Sequence, residues 1–240
     1  MLKITKRKNY FKFKQFTIFQ TNMVMKVGTD GVLLGAWVNC SEATNILDIG
    51  TGTGLIAIML AQRSNAKITG IDILENVCKL ALKNVENCKW KTRINIKNIS
   101  FQEFATKKTE KFDLIITNPP FFTNLLKPDN YNLKIAKHND LLPFNELIEN
   151  VNKVLSKNGK FCLIIPIENS DSFIKLCEKN ELYCTKKMFV KPNHSKKPKR
   201  ILMEFQKNKT KLISENFTIE TSERHKYTTE YKKLTEDFYL

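Results

Sequence analysis

Two hydrophobic periods divide the 240 residues. Short runs rich in β-branched residues, at 45–50, 67–72, 93–98, 112–117 and 160–166, have the length and composition of buried strands. Between them apolar residues recur three and four apart, predicting helices over 55–63, 74–88, 143–155 and 170–180. In 74–88 the stripe is Val77, Leu80, Ala81 and Val85, with Lys83 on the other face. Runs at 182–191 and 201–206 bring the count to seven strands, and 216–220 is a further candidate. Strand and helix alternate, so the pattern predicts an α/β fold: a seven-stranded, mostly parallel sheet with helices on both faces. No repeat or linker interrupts it. Residues 1–240 therefore read as a single domain, with an N-terminal extension (1–40), a core (41–206) and a tail (207–240). In the extension, Thr29 or Asp30 can cap a helix over 31–38, and Gly28 and Gly31 allow close backbone approach at its start. A ligand carboxylate suits such a helix end, although an ordinary capped amphipathic helix explains the same residues.

The run 45–50 ends in Asp48-Ile49-Gly50, followed by Thr51-Gly52-Thr53-Gly54 and a helix, and the run 67–72 ends on Asp72 with Ile73 after it. Strand, glycine turn, helix and a second strand ending on an acid about 20 residues later form a nucleotide-binding βαβ unit, in which the acid grips ribose hydroxyls. A dinucleotide fingerprint needs a third glycine at position 55, which is Leu55. The carboxylate of Asp48 repels a pyrophosphate and favours a cationic ligand such as a sulfonium or an ammonium. The cradle therefore fits S-adenosylmethionine better than a nicotinamide cofactor. After the run 93–98, a polar residue can meet the adenine amino group and Phe101 can stack on the ring.

The run 112–117 ends at Asn118-Pro119-Pro120-Phe121. Two prolines fix φ and remove two backbone donors, so the chain leaves the sheet stiff and extended. The Asn118 side-chain oxygen and the Pro119 carbonyl can then face one spot, with the Phe121 ring beside it. Two acceptors and an aromatic plate suit a planar group bearing an NH2. Standing alone the tetrapeptide reads as a Pro-rich turn with an Asn cap; parallel strands, however, bring it to the same sheet edge as the glycine turn. The polar stretch 123–142 that follows is expected to be a loop over the site.

Composition then narrows the partner. Lys and Arg number 40 against 24 Asp and Glu, a net charge of +16, which favours a polyanion, nucleic acid first. Lys-rich composition of the kind an A/T-rich genome produces is the competing source of that charge. Two stretches concentrate it. One is 1–20, where Lys6, Arg7, Lys8, Lys12 and Lys14 interleave with Tyr10, Phe11, Phe13, Phe16 and Phe19; it reads as a strand or hairpin with a solvated lysine face, or as a base-stacking platform. The other is the loop 191–200, with Lys196, Lys197, Lys199 and Arg200, a solvated hairpin tip or a phosphate track. The six cysteines lack CxxC spacing and read as reduced and structural; His138, His194 and His225 lie far apart, so no metal is expected. No run has the length of a membrane span and no signal peptide is evident, so a cytoplasmic monomer is expected.

The Asp48 turn together with Asn118-Pro119-Pro120-Phe121 resembles the class I, Rossmann-like amino-methyltransferases. The phrases Phe13-Lys14-Gln15-Phe16, Met25 through Trp37, and Tyr227-Thr228 through Asp237-Phe238-Tyr239-Leu240 make the chain similar, over nearly its whole length, to the bacterial tRNA1(Val) adenine-37 N6-methyltransferases. Ser100 stands where relatives often carry an Asp toward the cofactor adenine. The resemblance implies that Asp48 and Gly50, Gly52 and Gly54 hold the amino acid part of the cofactor and Asp72 its ribose. It implies that Asn118 and Pro119 accept hydrogen bonds from adenine N6 while Phe121 stacks on the base, in the anticodon loop of a tRNA. The alternatives are a glutamine-amide methyltransferase, a non-catalytic RNA-binding protein and, failing at Leu55, an NAD-dependent oxidoreductase.

Overall fold

The structure, a computed structural model, describes residues 9–21, 26–107, 110–119 and 142–240. It opens with an antiparallel hairpin, β1 (Tyr10–Lys12) and β2 (Thr17–Phe19). Helix α1 (Thr29–Trp37) leads into β3 (Asn45–Ile49), α2 (Leu55–Arg63), β4 (Lys67–Asp72), α3 (Glu75–Glu86), β5 (Ile94–Asn98), α4 (Phe101–Lys107) and β6 (Phe112–Thr117). After the Asn118 segment come α5 (Phe144–Val154), β7 (Leu155–Pro166), α6 (Ser170–Lys179), β8 (Tyr183–Asn193), β9 (Arg200–Gln206), β10 (Ile213–Glu220) and α7 (Thr229–Thr235).

Among the described residues the main sheet has eight strands in the order β10, β8, β9, β7, β6, β3, β4, β5. Only β9 runs against its neighbours, so β8 and β10 point the same way as β3 and β6. The eighth strand is β10. It starts three residues earlier than its apolar pattern predicts, because backbone pairing with β8 extends past the buried Phe217 and Thr218 to exposed positions.

Alternation along each strand splits the core. Ile46, Leu114 and Ile116 face the hairpin, α1, α2, α3 and α7, whereas Leu47, Ile49 and Ile115 face α4, α5 and α6. Asp48 shares the face of Ile46, and this places its carboxyl under α2. Among the described residues no helix is long and apolar enough to cross a membrane.

Three expectations are corrected. Neither Thr29 nor Asp30 caps α1: the cap is Gly28, without a side-chain hydrogen bond, and six consecutive residues from Gly31 to Ala36 are buried. An ordinary amphipathic helix would keep a solvated face; α1 is wedged against α2 and α7. The strand expected at 160–166 begins instead at Leu155, directly after α5, with a register shift opposite Phe112 and Leu114. A Cβ on Gly159 would sit 2.9 Å from the Phe112 carbonyl, so the strand passes there only as glycine.

Candidate functional site

All three glycines of the turn after β3 take left-handed backbone angles, with φ of 67° at Gly50, 58° at Gly52 and 79° at Gly54. An L side chain rarely adopts these values, and that is why glycines alternate here. A Cβ on Gly50 would meet nothing within 4 Å, so the turn leaves open space there rather than packing against protein. The turn is anchored by Thr51 N donating to Ile71 O (2.9 Å) and by Gly54 N donating to Thr51 O (2.9 Å).

Asp48 is 1% exposed. Its Oδ2 accepts from the Thr51 hydroxyl at 2.7 Å, while Oδ1 has no hydrogen-bond partner among the described residues. Burial pushes its carboxyl up to about 7, against the Thr51 hydroxyl and the Ala57 backbone amide, and the charge of Asp72 adds to the rise. An orphaned oxygen on a buried acid is what a cationic ligand would satisfy. Asp72, at the end of β4, accepts from Gly52 N (3.1 Å) and Leu74 N (3.1 Å), which holds its carboxylate at the rim of the turn. Ile73 beside it is 42% exposed, an apolar surface facing out next to the acid.

On the other side of β3, the Thr117 hydroxyl donates to Ile49 O at 2.9 Å and pins the end of β6 to the start of the glycine turn. Asn118 and Pro119, the next residues, are half-buried. The N-terminus of α1 closes in as well, because a Cβ on Gly31 would lie 3.4 Å from Leu55 and 3.8 Å from the Asn118 amide nitrogen. The structure therefore brings together Asp48, the glycine turn, Asp72, Asn118 and the start of α1. Pro120, Phe121 and nearly all of the 123–142 stretch lie outside the described residues, as do Lys6, Arg7 and Lys8.

Other expected contacts move. Phe101 is 4% exposed and packs with Ile49, Ile71 and Phe104, so its ring belongs to the core rather than to an open stacking face. Ser100 is taken up in capping α4, its hydroxyl accepting from Glu103 N at 3.2 Å. In the hairpin, Lys12 and Lys14 face outward and the Lys14 ammonium donates to the Glu236 carbonyl. Phe13 and Phe16 are 1% and 5% exposed and stack with each other, which removes them from any base-stacking platform; the solvated-lysine hairpin is what forms. Arg200 turns inward from the basic tip, and its Nε donates to Asp30 Oδ2 at 2.8 Å. Asp30 thus has a protein cation as partner, and the tip between β8 and β9 is tied to α1.

Sequence reading missed Asn84. Fully buried on α3, it accepts from Phe19 N (2.8 Å) and donates to Phe19 O (3.0 Å) and Thr53 O (2.8 Å). One amide therefore joins the hairpin to the glycine turn. The signal was present, since Asn84 falls on the apolar stripe with Val77 and Ala81, where a polar side chain needs buried partners. The six cysteines are all unbonded, and burial raises their thiols, those of Cys78 and Cys184 to about 11. Among the described residues no group of three His, Cys, Asp or Glu could hold a metal ion.

A family model for a methyltransferase domain matches residues 40–232. Over 235 residues the chain is 46% identical to a protein of Trichodesmium erythraeum named tRNA1(Val) (adenine(37)-N6)-methyltransferase, covering 97% of this chain and 98% of that one. A Bacteroides fragilis protein of the same name is 41% identical over 232 residues, with 96% and 98% covered. Among solved structures, a predicted O-methyltransferase from Agrobacterium tumefaciens superposes with a TM-score of 0.70 at 17% identity, covering 87% of this chain and 96% of that one, a likeness of fold.

Proposed function

The chain belongs to the tRNA1(Val) (adenine(37)-N6)-methyltransferase family, and from that premise we propose that it uses S-adenosylmethionine to methylate N6 of adenine 37 in the anticodon loop of tRNA1(Val). The carrying observation is the meeting of two strand ends: the Thr117–Ile49 hydrogen bond sets Asn118 directly beside the glycine turn that follows Asp48. The reading places the protein in the cytoplasm as a monomer.

The residues fit the cofactor. Asp48, through its orphaned oxygen, would face positive charge, the open backbone at Gly50 would admit the amino acid part, and Asp72 with Ile73 would hold the ribose side. The exposed Thr29, at the start of α1, would present its backbone donor toward the ligand carboxylate. When bound, the cofactor supplies a methyl group on a sulfonium, an electrophile whose departure leaves a neutral thioether.

Adenine N6 is a weak nucleophile because its lone pair is delocalised into the ring. Asn118 Oδ1 and the Pro119 carbonyl, by accepting the two N6 protons, would hold the amino group so that its lone pair points at the methyl carbon. The stiffness of Pro119 keeps that carbonyl in place without cost at the moment of reaction. Once N6 carries the methyl group its surplus proton would leave for solvent, so Asn118 and Pro119 would act by holding and orienting the amino group. No strong base is required. An anticodon-loop base is already partly unpaired, which lowers the cost of bringing it into the site.

Incubation with bulk tRNA and isotopically labelled S-adenosylmethionine, followed by nucleoside mass spectrometry, should yield labelled N6-methyladenosine. Label in a release-factor glutamine and none in tRNA would refute the RNA reading. Asn118→Ala should lower turnover by roughly 10²-fold, with cofactor affinity nearly unchanged.

A further inference from the structure

A second exposed turn stands at the same sheet edge as the Asn118 segment. β10 runs parallel to β8, with Thr218 opposite Lys191 and Glu220 opposite Asn193, so both strands deliver their carboxyl ends where β6 delivers Asn118. Residues 222–227 follow, all exposed, carrying Arg224, His225 and Lys226 before Tyr227. The Tyr227 ring is 42% exposed although it is also stacked on Tyr231, with centroids 4.8 Å apart and planes 23° apart. Tyr231 beneath it is 3% exposed. The ring is therefore backed by the core while part of it stays open to solvent.

Its backbone is tied down on both sides. Thr221 N donates to Lys226 O at 2.8 Å, Thr228 N to Ile219 O at 3.0 Å, and the Thr228 hydroxyl to Thr218 O at 2.6 Å. An aromatic ring held rigidly loses little freedom on binding. Arg224 makes no ion pair among the described residues, whereas Lys226 is paired with Glu223 and Glu220 accepts from His225 N. A ring flanked by two cations matches an unpaired nucleobase between phosphates.

The sheet supplies a scale. β10 lies four strands from β6, about 19 Å across the sheet at about 4.8 Å per strand, and the register sets Tyr227, opposite Glu220, about five residues or roughly 17 Å further along the strands than Asn118, so the two are roughly 25 Å apart. At about 3.4 Å per stacked nucleotide, that span is about seven nucleotides. Tyr227 is thus too far to touch the reacting base and near enough to meet the same RNA hairpin.

We infer that Tyr227, Arg224 and Lys226 form a second RNA contact, the ring stacking on an unpaired base and the cations meeting flanking phosphates about seven nucleotides from the target adenine. The inference rests on the tRNA reading above.

Steady-state methylation of tRNA by Tyr227→Ala, Tyr227→Phe and the double variant Arg224→Gln, Lys226→Gln tests it. Tyr227→Ala should raise KM for tRNA about tenfold, the order of one lost stack, with kcat and the Kd for S-adenosylmethionine unchanged. Tyr227→Phe, which keeps the ring, should match wild type. The double variant should flatten the salt dependence of KM by up to about two units of log–log slope. An unchanged KM in Tyr227→Ala overturns the inference, as does a parallel loss of cofactor binding and kcat, which would mean that Tyr227 only braces the fold. Wild type inactive on tRNA would sink the underlying reading instead. Fluorescence anisotropy of a single-stranded RNA with wild type and Tyr227→Ala then still decides, and equal affinities refute the contact.

Discussion

Asp48 couples the site to pH. Burial raises its carboxyl from 3.8 to about 7 in the folded, ligand-free protein, so the fold binds that proton more tightly than the unfolded chain does. The resulting stabilisation is complete below about pH 4 and is lost as pH rises to about 7. A cationic ligand at Oδ1 favours the carboxylate instead. Affinity for S-adenosylmethionine should therefore rise across neutral pH, with a proton released on binding, and Asp48→Asn should flatten that rise. Calorimetry in buffers of different ionisation heat measures both effects; an affinity independent of pH in the native protein would place the sulfonium elsewhere. Asn84 acts at the same scale. Asn84→Ala strands the N–H and C=O of Phe19 and the Thr53 carbonyl, and should cost at least about 2 kcal/mol in urea unfolding while weakening cofactor binding. Unaltered cofactor affinity in that variant would show that the glycine turn holds its shape without it.

At the scale of elements, the hairpin and the chain's last residues form one unit. Lys14 N donates to Phe238 O at 2.8 Å, Tyr239 stacks on Phe13 with centroids 5.8 Å apart, and Tyr231 stacks on Tyr239 in turn. Phe238 is 1% exposed. Neither partner is stable alone, since a hairpin with two three-residue strands and a seven-residue helix fall short of what water tolerates. Phe238→Ala should lower stability by about 3–5 kcal/mol and speed proteolysis within residues 9–21. Cleavage at the native rate would show that the hairpin stands without the tail. The N-terminal and C-terminal phrases that carry the family resemblance are thus explained first by mutual packing, and Asn84 then passes the hairpin's position on to the glycine turn.

For the whole molecule, topology decides what the charge of +16 can do. The reversal at β9 returns β8 to the direction of β6, so the basic tip at 194–199 stands on the edge that carries Asn118. Asp30 holds Arg200 and so ties that tip to α1, whose start abuts Asn118. An ion pair this exposed adds little stability, about 0–1 kcal/mol, and its weight is in position. Replacing the exposed Lys196, Lys197 and Lys199 by Gln should reduce the slope of log affinity for tRNA against log salt by about 2–3, leaving cofactor affinity unchanged. An unaltered slope would move the phosphate track off this tip.

The sequence by itself determined the element order from α1 to β10, the βαβ unit and where β3 and β6 end, because these depend on local periodicity and on residues, glycine and proline, whose backbone limits are intrinsic; the helix α7 was not read from it. Only the tertiary structure decided which polar groups spend their bonds on the protein. Thr29 and Asp30 read as caps, yet Asp30 belongs to Arg200, 170 residues away. Phe101, and in one of the two readings open to the hairpin Phe13 and Phe16, read as available rings, yet each lies in a core completed by distant segments. Burial and hydrogen-bond partners are set by packing between elements far apart in the chain, which local patterning cannot encode; parallel pairing then carries Asp48, Asp72 and Asn118 to a single edge.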